Sequence, residues 1–474
     1  MGNGEEDTVD ALGGKFRLSR RKILTTAAGG VAGLALPAPA WAVGDRRPGA
    51  TRPPSLTPGD QQVAAKVSAR RALTDLRALT ETIGPRVAGT PGERRAADYL
   101  GGVFDDLGYD TTLQPFAVED KYLARLDAPG GLPRDLCWQA GASPYGALDV
   151  TVRAGVIDAG IGGSDDYPAN VAGRIVLIDN PWLEDPGVLA GRAIERGAAA
   201  VVFLAEDLFA GLRAPAWSPW LPEPVAVPVV GAAWAQKIRL RELLAAGQLR
   251  ELIVSTSAHR GLTSHNVLAE RRTGNGDGPV VMVSAHYDSV VGAPGANDDG
   301  SGTVLCLELA RVLRTMPANA TLRFGLWGAE EDGTVGSLHY VSQLPQVERD
   351  RIVALFHNDM VATTFAPATR YWLLSATGEA NRATAEVAAA ARRLGYASRI
   401  SPVTQRGFSD HESFQQAGIA AANFSWRSEE SPADLEPQNH TPEDTIAANI
   451  SPERLQVSME LIGAAAYNTL HDPV

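Results

Sequence analysis

The segments His286-Tyr287-Asp288, then Asn297-Asp298-Asp299-Gly300-Ser301-Gly302, then Glu330-Glu331 decide how this chain is read. They sit inside an alternation of apolar runs and helical patterns. Val280–Ala285 reads as a buried strand, Thr303–Leu313 as a helix, Leu322–Trp327 as a second strand, and Thr334 to about Gln343 as a second helix. Such alternation predicts βαβ units, hence an α/β domain with a mainly parallel or mixed sheet flanked by helices. Ile352–Phe356 and Ala420–Phe424 supply further buried strands, and Pro452–Leu470 a closing amphipathic helix.

In a sheet of this kind, residues just beyond the carboxyl ends of the strands converge in one crevice. His286 ends the first run and Glu330-Glu331 follow the second. Asp359 follows Ile352–Asn358, and the loop Gln438-Asn439-His440-Thr441-Pro442-Glu443-Asp444 adds another imidazole. Zinc binds imidazole nitrogen and carboxylate oxygen, and two neighbouring zinc ions are best held by a ligand that bridges them. Asp298, in a Gly-rich turn at the start of a helix, is placed to bridge. One zinc would use His286 and Asp359, the other Glu331 and His440, with Asp298 between them. Glu330, left without a metal, is the expected general base, and Asp288 the acid that orients His286.

Each piece alone has a plainer explanation. His286-x-Asp288 is also a surface pair, Asn297–Gly300 a turn or a fragment of a calcium loop, Glu330-Glu331 solvated charge at a helix start, and Asp359 a strand-end cap. Together they require more, because acids at several buried strand ends are costly unless something positive neutralises them. His259, His265, His339, His357 and His471 read as structural or surface residues, with His357 on the same strand face as Asp359 and able to support the site. His411, in Ser409-Asp410-His411-Glu412, reads as a group behind the ligands or in the substrate pocket. No Gly-x-Ser-x-Gly elbow supports a serine hydrolase.

A chain of 474 residues exceeds one ordinary core, so two domains are expected. The catalytic domain is assigned to 61–137 and 258–474, and a β-rich insert to 138–257. A net charge of −12 argues against nucleic acid as a partner. Ser19-Arg20-Arg21-Lys22, followed by an Ala/Gly stretch ending in Ala40-Trp41-Ala42, reads as a twin-arginine export signal over 1–42, with an extracellular or periplasmic destination. Glycines and prolines interrupt that stretch too often for a membrane anchor. Residues 43–60 read as a flexible lead-in, and Cys137 and Cys306 as core thiols rather than a disulfide.

These motifs resemble the secreted two-zinc aminopeptidases of the bacterial leucine aminopeptidase and aminopeptidase Y type. Ile83-Gly84-Pro85-Arg86-Val87-Ala88-Gly89-Thr90-Pro91-Gly92 is similar to the family's entry segment and Asn266–Glu270 to the strand before the first ligand. The resemblance implies two zinc ions per chain on His286, Asp298, Glu331, Asp359 and His440, with Glu330 as base and Asp288 behind His286. It further implies peptide or protein substrates cleaved at the N-terminus. The insert is similar to a protease-associated domain, notably in Val171–Asp179 and Arg196–Val202. Asn439 stands where some relatives place a Tyr, and Arg406 lies four residues before Asp410 rather than beside it. A carboxypeptidase or dipeptidase on the same scaffold, a one-zinc glutaminyl cyclase relative and a non-catalytic binding homologue are the competing readings.

Overall fold

The computed structural model describes residues 55–473 apart from 181–183, 207–211 and 275. The expected export signal lies outside the described residues. In chain order the strands are β1 (Asp110–Val118), β2 (Lys121–Asp127), β3 (Gln139–Ala142), β4 (Thr151–Asp158), β5 (Ile175–Asn180), β6 (Ala200–Ala205), β7 (Val229–Ala232) and β8 (Glu251–His259). They continue with β9 (Leu262–Arg271), β10 (Val280–His286), β11 (Thr321–Trp327), β12 (Ile352–Asn358), β13 (Arg370–Ser375), β14 (Ile400–Gln405) and β15 (Ala421–Arg427).

Eight of them form one mixed sheet in the order β1-β9-β11-β10-β12-β15-β13-β14. Its centre is parallel, since β10 pairs in parallel with both β11 and β12, and β12 with β15. Every residue of β10 is buried, which is why the strand reads as an unbroken apolar run rather than an alternation. Val281 and Val283 join a cluster with Leu305, Leu309 and Leu461, while Val280 and Met282 join Trp327, Tyr340 and Phe414. Helices therefore cover both faces, and burying a side chain of this size is worth roughly 1.5–3 kcal/mol. Gly302, first residue of the helix Gly302–Leu313, lies where a Cβ would collide with the carbonyl oxygen of Asn358 at the end of β12. That close approach seats the Asp298 turn against the strand ends.

The chain enters this body earlier than expected. Pro58 opens a helix within the stretch assigned to the lead-in, because Thr57 and Asp60 form a capping box and Pro58 occupies its first turn. Asp60 then pairs with Arg393, at 2.8 Å.

The remaining seven strands close a barrel in the order β2-β3-β7-β6-β5-β4-β8. Its strands run from Lys121 to His259, so β2 belongs to it although it precedes residue 138. The antiparallel pair β1/β9 ends at Val118↔Leu262, and the antiparallel pair β2/β8 begins at Lys121↔His259, so one two-stranded ribbon leads from sheet to barrel. The barrel has its own apolar clusters, one around Leu177, Val202, Val230 and Val254 and another around Ile178, Phe203 and Leu189. Cys137 and Cys306 are both free thiols. Among the described residues no helix is long and apolar enough to cross a membrane.

Glu93, in the helix Pro91–Asp106, ties the entry segment to β9 by accepting from Gly89 N at 2.6 Å and Ser264 Oγ at 2.5 Å. Burial, with Asp288 nearby, pushes its carboxyl up to about 8 from the ordinary 4.5. The folded state thus holds a proton that the unfolded state has lost, so this contribution to stability is complete below pH about 4.5 and disappears as pH rises through 8. Glu93→Gln should flatten the decline, on the order of 1–4 kcal/mol, in urea-unfolding free energy between pH 5 and 8. An unchanged slope would show that Glu93 does not titrate in that window.

Candidate metal centre

The carboxyl ends of the three central strands deliver the expected side chains to one place. His286 ends β10, Asp359 follows β12, and Glu330 and Glu331 lie in the turn after β11. The ligand atoms of His286, Asp298 and Asp359 lie within 4.8 Å of one another, and so do those of Asp298, Glu331 and His440. Asp298 belongs to both sets. Its Oδ1 is 3.2 Å from His286 Nε2 and its Oδ2 3.1 Å from His440 Nε2. One carboxylate therefore faces two imidazoles through its two oxygens, which is the geometry of a bridge.

The other acids are half engaged. Asp359 Oδ2 accepts from Ser409 Oγ at 2.8 Å, while its Oδ1, 4.0 Å from His286 Nε2, has no hydrogen-bond donor. Glu331 Oε2 is 3.2 Å from His440 Nε2 and its Oε1 has no donor. Buried carboxylate oxygens without donors, beside imidazole nitrogens, are a donor set that fits divalent zinc-type ions. Glu330 stays outside both sets, its Oε2 4.0 Å from His286 Nε2.

Asp288 binds the parts together. Its carboxylate accepts from the backbone N–H groups of Glu330 at 3.0 Å and Glu331 at 3.2 Å, and Oδ1 lies 3.4 Å from His286 Nδ1. It fixes the glutamate turn and lies beside the imidazole. His357 does not join either ligand set. Its Nε2 meets Ser409 Oγ at 2.8 Å and its Nδ1 meets Ser284 Oγ at 3.0 Å, so it supports the serine that holds Asp359. His411 Nε2 meets the Arg406 carbonyl at 3.0 Å. Asn439, which stands where some relatives place a Tyr, donates its amide to Asp298 Oδ2 at 2.6 Å.

Three supporting residues are not legible as such in the sequence. Asp299 accepts from His286 N, Gly302 N and Met360 N, joining three segments of the site. Asp444 accepts from the backbone N–H groups of Asn297 and Asp298, which fixes the Asp298 turn. Arg86, fully buried, donates to the carbonyls of Tyr287, Pro294 and Gly295 at 2.5, 2.6 and 2.9 Å, pinning the loop between two ligands. The only signal for each was its place in a motif segment, Arg86 in Gly84-Pro85-Arg86, Asp299 beside Asp298 and Asp444 in the His440 loop.

Electrostatically the pocket demands positive charge. Burial alone would lower the His286 pKa, yet Glu330, Asp288 and Asp298 carry it well above the ordinary value; His440 is raised against burial chiefly by Glu331 and Asp298. Burial raises Glu330, and Asp410, Glu331 and Asp359 add to the rise against the pull of His286.

The model of peptidase family M28 matches residues 266–466. Aminopeptidase YwaD of Bacillus subtilis (strain 168) is 35% identical over 406 residues, covering 85% of each chain. Among solved structures, BSAP, a zinc aminopeptidase from Bacillus subtilis, superposes with a TM-score of 0.60 at 34% identity, covering 86% of this chain and 97% of that one. The aminopeptidase from Aneurinibacillus sp. strain AM-1 gives a TM-score of 0.54 at 31% identity, over 87% of this chain and 96% of that one.

If Asp298 bridges, Asp298→Ala should cost metal at both positions, read by elemental analysis after dialysis against trace metal as a fall to well under one ion per chain. Full occupancy would refute the bridge.

Proposed function

The chain belongs to peptidase family M28, and on that premise we propose which of its side chains make it a zinc-dependent aminopeptidase acting on peptides. His286 and Asp359 would hold one zinc, Glu331 and His440 the other, with Asp298 bridging. Zinc bound there supplies Lewis acidity for the scissile carbonyl and lowers the pKa of water. The carrying observation is that Asp298 presents one oxygen to each imidazole while Glu330 stands beside them in neither ligand set.

Glu330 then acts as proton carrier. Its carboxylate takes the proton of the attacking water and passes it to the departing amine, and the rise in its pKa suits a base that must accept and release within one cycle. Asp288 holds the glutamate backbone so that this carboxylate stays aimed at the site. The acid-rich pocket favours a substrate's free α-ammonium over a carboxylate, which supports release of N-terminal rather than C-terminal residues.

The barrel is read as a protease-associated domain that shapes access to the crevice without taking part in the chemistry. Residues 1–42 are read as a twin-arginine export signal with an extracellular or cell-envelope destination. Arg20→Lys with Arg21→Lys should then leave the protein in the cytoplasmic fraction; unchanged export would refute that route.

Glu330→Gln should retain two zinc ions and lose at least about a hundredfold in kcat on leucine amides. Near-normal turnover would remove Glu330 from the role of base. In the wild type, peptides with a free amino end should be cut and N-acetylated ones resist, with chelator abolishing activity; efficient cleavage of blocked peptides from the carboxyl end would favour the carboxypeptidase reading.

A further inference from the structure

The two triads are not held alike. His286 and Asp359 stand at the ends of adjacent central strands, with side chains 1% and 9% exposed. Glu331 and His440 come from turns; the Glu331 side chain is 9% exposed, as buried as Asp359, whereas His440 has φ +59° and a side chain 41% exposed. Neither of these turns is part of a strand.

The barrel reaches both turns. Lys121, first residue of β2, places Nζ 2.7 and 2.6 Å from the two carboxylate oxygens of Asp332, the neighbour of Glu331. Arg213, between β6 and β7, places Nη1 2.5 Å from Glu443 Oε2, three residues past His440. Arg213 is itself seated on the barrel, over the ring of Trp234 at 5.0 Å. Lys121 and Asp332 are 14% and 24% exposed and Arg213 and Glu443 30% and 28%, so both pairs are partly shielded from water. Among the described residues these are the two ion pairs that join the barrel to the rest of the chain. The loop between His286 and Asp298 receives a neutral contact instead, Gly292 N to Gln139 Oε1 at 3.0 Å.

We propose that the barrel braces one metal position selectively, holding the Glu331 turn through Lys121–Asp332 and the His440 turn through Arg213–Glu443, while the His286/Asp359 position receives no ion pair from the barrel among the described residues. Lys121 and Arg213 are positioning residues, acting through Asp332 and Glu443 on the orientation of ligands they do not touch. The proposal rests on the metal reading of the cluster given above.

The sign of a single substitution separates this from a general charge effect. Removing a cation beside an acidic site strengthens cation binding by Coulomb's law, whereas removing a brace weakens it. Zinc alone is titrated into the metal-stripped full-length chain in the presence of a competing chelator, giving two dissociation constants. Lys121→Met, and more so Lys121→Met with Arg213→Met, should raise the weaker constant about tenfold and leave the tighter one within about twofold. Lys121→Arg with Arg213→Lys should restore it. The charge-conserving set Lys121→Met, Asp332→Asn, Arg213→Met and Glu443→Gln should weaken the same position, with the melting temperature of the metal-free protein showing that the fold persists. Unchanged or tighter binding of the weaker ion in the methionine variants, or equal loosening of both ions, would overturn the brace. A wild type that takes up fewer than two zinc ions would overturn the cluster reading itself, and the brace with it.

Discussion

Like charges crowded out of water govern this structure. Asp288, Asp298, Asp299, Asp359, Glu330 and Glu331 come together at one end of a sheet, and the first four are buried. Left to themselves such groups repel and resist burial, so each must be fixed by donors or matched by a cation. The protein does both. Backbone N–H groups of Glu330, Glu331, Gly302 and Met360 fix two of the acids, and the Arg86 guanidinium sits among the carbonyls of the same loop. Oxygens on Asp359 and Glu331 remain without hydrogen-bond donors, the part of that negative charge the protein does not itself match.

The division of labour among the acids follows from where each oxygen points. Asp288 and Asp299 spend their oxygens on backbone N–H groups, including that of His286, so they shape the pocket. Asp298 turns its two oxygens toward two different imidazoles, with the Asn439 amide also donating to Oδ2. Glu330 is anchored through its backbone N–H and its side chain remains uncommitted. Asp288 thus fixes the Glu330 backbone while lying 3.4 Å from the His286 imidazole.

Much of this was readable from sequence, for a physical reason. Strands buried on both faces must be apolar throughout, so the polar residue that ends each run is conspicuous, and His286, Asp359 and Glu330-Glu331 are found this way. Asp298 is found through the turn chemistry of glycine, and His440 through the polar loop that carries it, outside any apolar run. Arg86, Asp299 and Asp444 act through hydrogen bonds to backbone groups distant in sequence, and no local pattern records such bonds. Ser409 is similar, since its task is defined only once Asp359 and His357 are beside it. The start of the barrel was misplaced because Lys121–Asp127 has no composition that separates it from β1, and the capping of Thr57 by Asp60 outweighed the proline and glycine of the lead-in.

The ribbon that leads from sheet to barrel has an architectural consequence. Val118 faces Leu262 across it, so excising everything between them would leave two neighbouring ends that a tight hairpin could join, at little cost in chain entropy. The peptidase body neither threads through the barrel nor needs it to close its own sheet. The barrel strands are therefore entered and left through a single doorway two strands wide.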